Sequence, residues 1–303
     1  MAKYTIKAVL NENIYNERVN RTQVFLGQNR EEQELSQKTL SNSVVGIAGT
    51  GGIGGAMALR LARFGIKKLK IADPENFDIS NINRQLGATI HNSGRNKAEV
   101  IAEIVHDLAG DIEIEIFTEG ITVENANDFV ADCDIVLDQL EFLVIKEKFA
   151  LHQAFRKNKN IQCILACTIV GYGAYLYKYT HESMTVEDWY ASAGLDSEDQ
   201  ELDEQTIEKL IGLWAPKFAQ FPSYDEVRCW MKKNDAVPIF AGTPPLAEGL
   251  LSQRVILCLL NQEHPPYSKW LPPIPQMYVY DAATLSGVAI LNRHKEPEII
   301  SLL

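Results

Sequence analysis

The chain has 303 residues, of which 46% are hydrophobic and 23% charged, and its formal net charge is −11. That balance excludes collagen-like, mucin-like and wholly disordered chains. The acidic excess argues against a duplex-binding surface, which needs clustered Lys and Arg to neutralise phosphates. No uninterrupted apolar run approaches the roughly 20 residues of a membrane-crossing helix, and Met1-Ala2-Lys3-Tyr4 lacks the pattern of a secretory leader. The expectation is a cytoplasmic protein with neither nucleic acid nor membrane as partner.

Residues 1–40 are polar and read as an N-terminal arm, with a strand at Tyr4–Val9 and a helix around Glu31–Thr39. At Ser43 the texture changes. Val44-Val45-Gly46-Ile47-Ala48 is a buried strand, followed by a glycine turn and a helix over Ile53–Phe64. Lys68–Ala72 gives a second strand, ended by Asp73-Pro74. Lys97–Leu108 reads as a helix, Ile112–Phe117 as a strand and Ala126–Ala131 as a short helix. Asp134–Leu137 is a strand, Phe142–Arg156 a helix and Ile161–Ala166 a strand.

Such alternation predicts right-handed crossovers and a parallel sheet. Ala174–Tyr179 alternates like an antiparallel strand leaving that sheet. Residues 181–237 break the pattern: 13 acidic and 5 basic residues give them a net charge of −8. With helices at Gln205–Gln220 and Asp225–Lys233, this stretch reads as an acidic helical insertion. Thr243–Leu260 resumes as a helix, and Met277–Tyr280 with Ser286–Leu291 form a closing hairpin. The fold class is α/β: a Rossmann-like, doubly wound, mostly parallel sheet extended by antiparallel strands. Its nucleotide-binding body spans 41–180 and 238–303.

Gly49-Thr50-Gly51-Gly52-Ile53-Gly54 lies where a strand becomes a helix. Glycine suits a tight turn, close approach of a phosphate to the backbone, and a helix packed hard on the sheet. Asp73 ends the next strand, where a carboxylate can accept hydrogen bonds from ribose hydroxyls. By itself this says nucleotide without saying which one. Ser80-Asn81-Ile82-Asn83-Arg84-Gln85 and Lys97 point further. A dehydrogenase has no need of these groups, whereas an enzyme that displaces pyrophosphate needs cations where charge builds on the departing phosphates.

Five cysteines without a CxxC pair argue against a disulfide framework and a four-cysteine zinc site. Cys229, beside Trp230 and Met231, reads as a packed helix residue. Cys163 and Cys167 lie on a buried strand, and Cys133 and Cys258 in the core. The six histidines lack metal-ligand spacing. Trp189, Trp214 and Trp230 read as packing residues or flanks of a peptide groove.

The sequence resembles the ubiquitin-activating-enzyme-like superfamily, specifically its ThiF/MoeB/HesA-type bacterial adenylyltransferases. Arg18-Val19-Asn20-Arg21, Gln37 and Leu40, the glycine turn, Asp73, Ser80-Asn81, Arg84-Gln85, Lys97, Pro244-Pro245 and Met277–Thr284 carry the resemblance. It implies an ATP- and Mg²⁺-dependent enzyme that turns a carboxylate, the C-terminus of a small carrier protein or peptide, into an acyl-adenylate. Gly49, Gly51, Gly52, Gly54, Asp73, Asn81, Gln85 and Asp138 would bind the nucleotide. Arg84, Lys97 and Arg21 would act on the phosphates, with Arg21 reaching across a homodimer.

Two departures stand out. Where the family has Asp-x-x-Asp-Asn, this chain has Asp138-Gln139-Leu140-Glu141-Phe142, so Glu141 either carries the Mg²⁺ or merely begins a helix. No zinc motif is present, and no cysteine reads as a nucleophile, so no enzyme thioester is expected. The alternatives are a relative acting on a small-molecule or nucleoside carboxylate, a non-catalytic scaffold, and a nicotinamide-dependent oxidoreductase.

Overall fold

A computed structural model describes residues 3–216, 223–234, 236–292 and 298–300. In chain order its elements are β1 (Lys3–Ile6), α1 (Glu12–Gln23), α2 (Arg30–Asn42), β2 (Val44–Ala48), α3 (Gly54–Phe64), β3 (Lys68–Ala72) and α4 (Lys97–Asp107). Then come β4 (Glu113–Phe117), α5 (Ala126–Val130), β5 (Ile135–Asp138), α6 (Ile145–Lys157), β6 (Cys163–Val170) and β7 (Gly173–Tyr179). The chain continues through α7 (Val186–Ala191), α8 (Glu204–Trp214), α9 (Tyr224–Asn234), α10 (Thr243–Leu259), β8 (Gln276–Asp281), β9 (Ser286–Leu291) and β10 (Glu298–Ile300).

The strands form one ten-stranded sheet in the order β1-β4-β3-β2-β5-β6-β7-β8-β9-β10. The run β4-β3-β2-β5-β6 is parallel, and every other pairing is antiparallel. Strand order reverses between β2 and β5, and ligands of such sheets sit beyond the carboxyl ends at that point. Register makes the crevice compact: Ala48 pairs with both Ala72 and Asp138, so the turns after β2, β3 and β5 start side by side.

Two cores cover the sheet. On one face α3, α4 and α10 bury Met57, Leu61, Ile101, Leu251 and Val255 against Ile47 and Ile71. On the other, α5 to α8 bury Phe129, Phe149, Phe155, Trp189 and Trp214 against Val136, Tyr177 and Tyr179. Each fully buried large apolar side chain contributes about 1.5–3 kcal/mol, which sets this frame rigidly under the crevice.

Three regions differ from the sequence reading. The first strand ends at Ile6, and the arm contains α1, a helix capped by the Asn11 side chain on Ile14 N. The arm also packs on the body: Arg18 makes a bidentate, largely buried pair with Asp111 at 2.6 and 3.1 Å, and Tyr15 donates to Gly65 O. The acidic segment places α7 and α8 in the second core, with Trp189 and Tyr190 fully buried. Finally, Cys229 is exposed on α9, which corrects the expectation that it is packed, and Trp230 is exposed too, which removes the packing alternative for that residue. Arg228 pairs with Glu204 and Glu208, and Lys232 with Glu204, so α9 lies against α8 through charge and turns these two side chains outward. The end of the predicted helix at 217–220 lies outside the described residues. Among the described residues no helix is long and apolar enough to cross a membrane.

Candidate active site

The glycine turn is the hub. Gly49 has φ +95°, and a Cβ there would come within 2.5 Å of Gln139 O, so only glycine lets the turn lie against the segment after β5. A Cβ on Gly54 would collide with Gly49 O, which closes the turn directly onto the start of α3. Gly51 faces the amide of Gln85, 3.7 Å from its would-be Cβ. Gly52 faces Pro244 and the carbonyl of Arg84, at 3.6 and 3.7 Å from its own. Segments distant in the chain thus converge on this turn.

Asp73 braces the turn from β3. Its Oδ2 accepts from Thr50 N at 2.7 Å and Thr50 Oγ1 at 3.1 Å, and its Oδ1 from Glu75 N at 2.9 Å. Burial pushes its carboxyl above the usual range, against the pull of the Thr50 and Glu75 amides and of Lys97. Both oxygens therefore hold backbone, a duty the spacing argument did not foresee.

Lys97 opens α4, where the Asn96 side chain caps the helix through Glu99 N and donates to Asp73 O at 3.0 Å. The Lys97 stem is buried and its ammonium pairs with the exposed carboxylate of Glu75. Glu75 was missed by the sequence reading. The signal was its position two residues after Asp73, at the mouth of the parallel sheet.

Residues Ile79–Asn83 form a 3-10 turn whose ends are tied by a reciprocal capping box between Asp78 and Asn81. Asn81 is buried in that structural role, its Oδ1 accepting from Asp78 N at 3.2 Å. Arg84 follows, half-buried, donating to Ser80 O at 3.1 Å and Asn83 Oδ1 at 2.9 Å. Gln85 is buried beside Gly51, and its Oε1 has no hydrogen-bond partner among the described residues. A buried acceptor without a donor costs roughly 1–3 kcal/mol, so this orphan marks a place where a ligand's donor or a water belongs.

Glu141 sits in the segment between β5 and α6, ahead of the helix rather than in its first turn. It is solvent-accessible, and its side chain pairs with nothing among the described residues. Desolvation there raises its carboxyl, as does nearby Glu75, while Lys148, Lys97 and Arg84 pull it down. Glu141, Glu75, Lys97 and Arg84 therefore share one electrostatic neighbourhood at the crevice.

Asp138 is turned away from it. Buried at the end of β5, it accepts from Lys148 Nζ at 2.8 Å on both oxygens and meets His152 Nε2 at 2.9 Å. Lys148 and His152, four residues apart on one face of α6, were not singled out in the sequence, although that spacing was visible. Arg21 projects from the last turn of α1, exposed and without a partner among the described residues. The structure does not bring it to the crevice of its own chain. Among the described residues no three His, Cys, Asp or Glu side chains converge into a metal cage.

Known proteins resemble this chain in sequence and in fold to different depths. A segment of 150 residues is 31% identical to the sulfur carrier protein ThiS adenylyltransferase of Escherichia coli K12, covering 48% of this chain and 56% of that protein. A segment of 112 residues is 31% identical to the tRNA threonylcarbamoyladenosine dehydratase of Bacillus subtilis 168, covering 36% of this chain and 43% of that one. The chain thus spans about half the length of these curated relatives. In fold it resembles E. coli MccB, solved with ATP, at TM-score 0.61 and 17% identity over 96% of this chain and 74% of that one. PaaA gives TM-score 0.63 at 17% identity, over 93% and 74% of the two chains. The ThiF family profile matches residues 22–297, nearly the whole of the chain, and the protein belongs to the ThiF family.

Proposed function

We propose that this protein is an adenylyltransferase that uses ATP to activate a carboxylate, the C-terminus of a small carrier protein or peptide. The packing of the Arg84-Gln85 segment against Gly51 and Gly52 of the glycine turn, with the Lys97–Glu75 pair at the end of the neighbouring strand, supports this reading. A nicotinamide site has no use for two cations and two carboxylates at the phosphate end. The carrier or peptide substrate is supported by the relative named for ThiS and by the likeness to MccB, which has been solved with the peptide MccA.

In the reaction a carboxylate oxygen of the substrate bonds to the α-phosphorus, and the α–β phosphoanhydride bond breaks with pyrophosphate leaving. The glycine-turn amides at the start of α3 offer donors to the phosphates. Lys97 would exchange Glu75 for the leaving phosphates, and Arg84, held only by main-chain and amide oxygens, would swing onto the same charge. Gln85 Oε1 supplies an acceptor for a nucleotide donor.

A Mg²⁺ fits the donor set, because it favours one or two carboxylates plus phosphate oxygens and waters over a closed protein cage. Glu141, unpaired among the described residues, would hold it, with Glu75 as second donor. The ion would supply neutralisation of phosphate charge.

The reading includes a cytoplasmic homodimer in which Arg21, exposed and unengaged in its own chain, reaches the partner's phosphates. It also has the adenylate consumed directly, with no thioester on the enzyme. The likeness to a tRNA threonylcarbamoyladenosine dehydratase supports a second reading, a nucleoside carboxylate as substrate on the same site. ATP–pyrophosphate exchange with carrier proteins, peptides and the nucleoside decides between the two. Tight binding of NAD without binding of ATP in calorimetry would refute both. Sedimentation showing an active monomer would remove the role of Arg21.

A further inference from the structure

The Asp138–Lys148–His152 cluster is buried beneath the end of β5, and all three groups are essentially inaccessible. A buried ionic cluster seldom improves on apolar residues of similar volume in stability alone, so its placement asks for another reason. The reason is visible in what it holds. Leu140 N donates to Asp138 Oδ1 at 3.1 Å, and Leu140 O accepts from Lys148 Nζ at 3.3 Å. Both polar backbone groups of the residue just before Glu141 are therefore tied to the cluster.

The residue just after Glu141 is tied from the other side. Phe142 O accepts from Tyr190 Oη of α7 at 2.9 Å, and that hydroxyl in turn accepts from Trp214 Nε1 of α8 at 2.7 Å. The Trp214 ring lies over Lys148, 4.7 Å from Nζ to the ring centre, and joins the two ties into one unit. Glu141, between the two ties, is exposed, and its side chain has no hydrogen-bond or ion-pair partner among the described residues.

We propose that Lys148, Asp138 and His152, together with Tyr190 and Trp214 of the acidic insertion, form a clamp that fixes the backbone on both sides of Glu141 and so positions its carboxylate at the end of β5. The insertion is thereby part of the active-site scaffold, not an appendage. These are positioning residues. The clamp itself stands on geometry, and only its catalytic consequence rests on the adenylation reading above.

Two variants test it in the full-length chain. Tyr190→Phe removes one hydroxyl and keeps the ring. The paired change Asp138→Leu with Lys148→Met replaces both charges by apolar groups of similar volume, so that no lone charge is left buried. Amide hydrogen exchange, followed without ligand over residues 139–144 and over α3 as control, should quicken at least tenfold in 139–144 and stay unchanged in α3. Pyrophosphate exchange at saturating ATP should fall at least tenfold, with the KM for ATP within twofold of wild type.

Wild-type protection of 139–144 in Tyr190→Phe overturns the clamp, as does equal acceleration throughout the protein. If the paired variant does not fold, Tyr190→Phe decides alone. Faster local exchange with unchanged turnover overturns the placement of Glu141 as the clamp's purpose. If wild type exchanges pyrophosphate with no candidate, the adenylation reading fails, and hydrogen exchange still decides the clamp.

Discussion

Gly49 and Gln139 lie so close that no methyl group fits between them: a Cβ on Gly49 would stand 2.5 Å from the Gln139 carbonyl oxygen. Two loops of the crevice, one after β2 and one after β5, are thus packed backbone to backbone. Gly49 also holds φ +95°, which costs another residue roughly 1–2 kcal/mol before any clash. Gly49→Ala should lower the melting temperature by several degrees and abolish ATP binding. Calorimetry of the variant checks both, and wild-type values for both would refute this account of the turn.

Arg84 and Lys97 should matter more to the chemical step than to capture of ATP. Removing one preorganised donor from a developing charge typically costs about 3 kcal/mol, so Arg84→Ala and Lys97→Ala should each slow pyrophosphate exchange roughly a hundredfold or more. KM for ATP should move much less. Exchange at the wild-type rate in Arg84→Ala, with a verified substrate, would remove that residue from the mechanism.

Lys148→Met alone should be severe, because it leaves the Asp138 carboxylate buried without its counter-charge. Breaking a buried pair from one side costs about 3–5 kcal/mol. Chemical denaturation of the variant against wild type measures it. A loss under about 1 kcal/mol would mean that water reaches the carboxylate after the change, contrary to its dry surroundings.

The same cluster sets a pH dependence. Lys148 and His152 outweigh desolvation and hold Asp138 down at about 2, below its ordinary 3.8. Its stabilisation is therefore complete above pH 3.8 and lost only as pH falls through about 2. Burial depresses His152 below its ordinary 6.5, so the unfolded chain takes up that proton first, and stability declines as pH drops below 6.5. Between pH 7 and 5 the wild type should lose more stability than His152→Gln. Parallel melting curves for the two proteins across that range would contradict the buried, neutral His152.

Cys229 should be the one fast-reacting thiol. It is exposed, whereas Cys133, Cys163, Cys167 and Cys258 are buried. Desolvation pushes Cys133 up to about 12 and raises Cys167 as well. The neighbouring Arg228 is engaged by Glu204 and Glu208. A thiol reagent added to native protein should label one site quickly and four only on unfolding. Cys229→Ala should keep full product formation. Loss of product with retained pyrophosphate exchange would instead reveal a thioester.

The parallel strands, the glycine turn and the Lys97 helix start were legible because each has a local cause: apolar runs, glycine chemistry and an Asn cap. Helix α1 was not, since only Tyr15 and Val19 are buried on it. An almost wholly polar helix shows little period, and Asn11 with the packing of Tyr15 decides it. The direction of Asp138 was also hidden. Position along the chain placed it at the crevice, but Lys148 and His152, one helical turn apart, draw its carboxylate inward. Cys229 was misjudged for a similar reason: flanking aromatic residues say nothing about which side of a helix points out. Register and glycine contacts, which join Gly52 to Pro244 and Gly49 to Gln139, come from tertiary packing alone.

Helix α10 carries a consequence for how the molecule is made. Its Leu251 and Val255 share one core with Met57 and Leu61 of α3, and its Pro244 lies against Gly52. A nascent chain that has left the ribosome only as far as residue 240 already holds the whole parallel sheet, yet the part of one face that α10 covers is bare and the glycine turn lacks Pro244 against Gly52. The part of the site translated first waits for a part translated last. Through that interval the bare flank of α3 and β6 is a surface for chaperones to shield, and a stalled or prematurely ended chain would be sticky and unable to hold nucleotide.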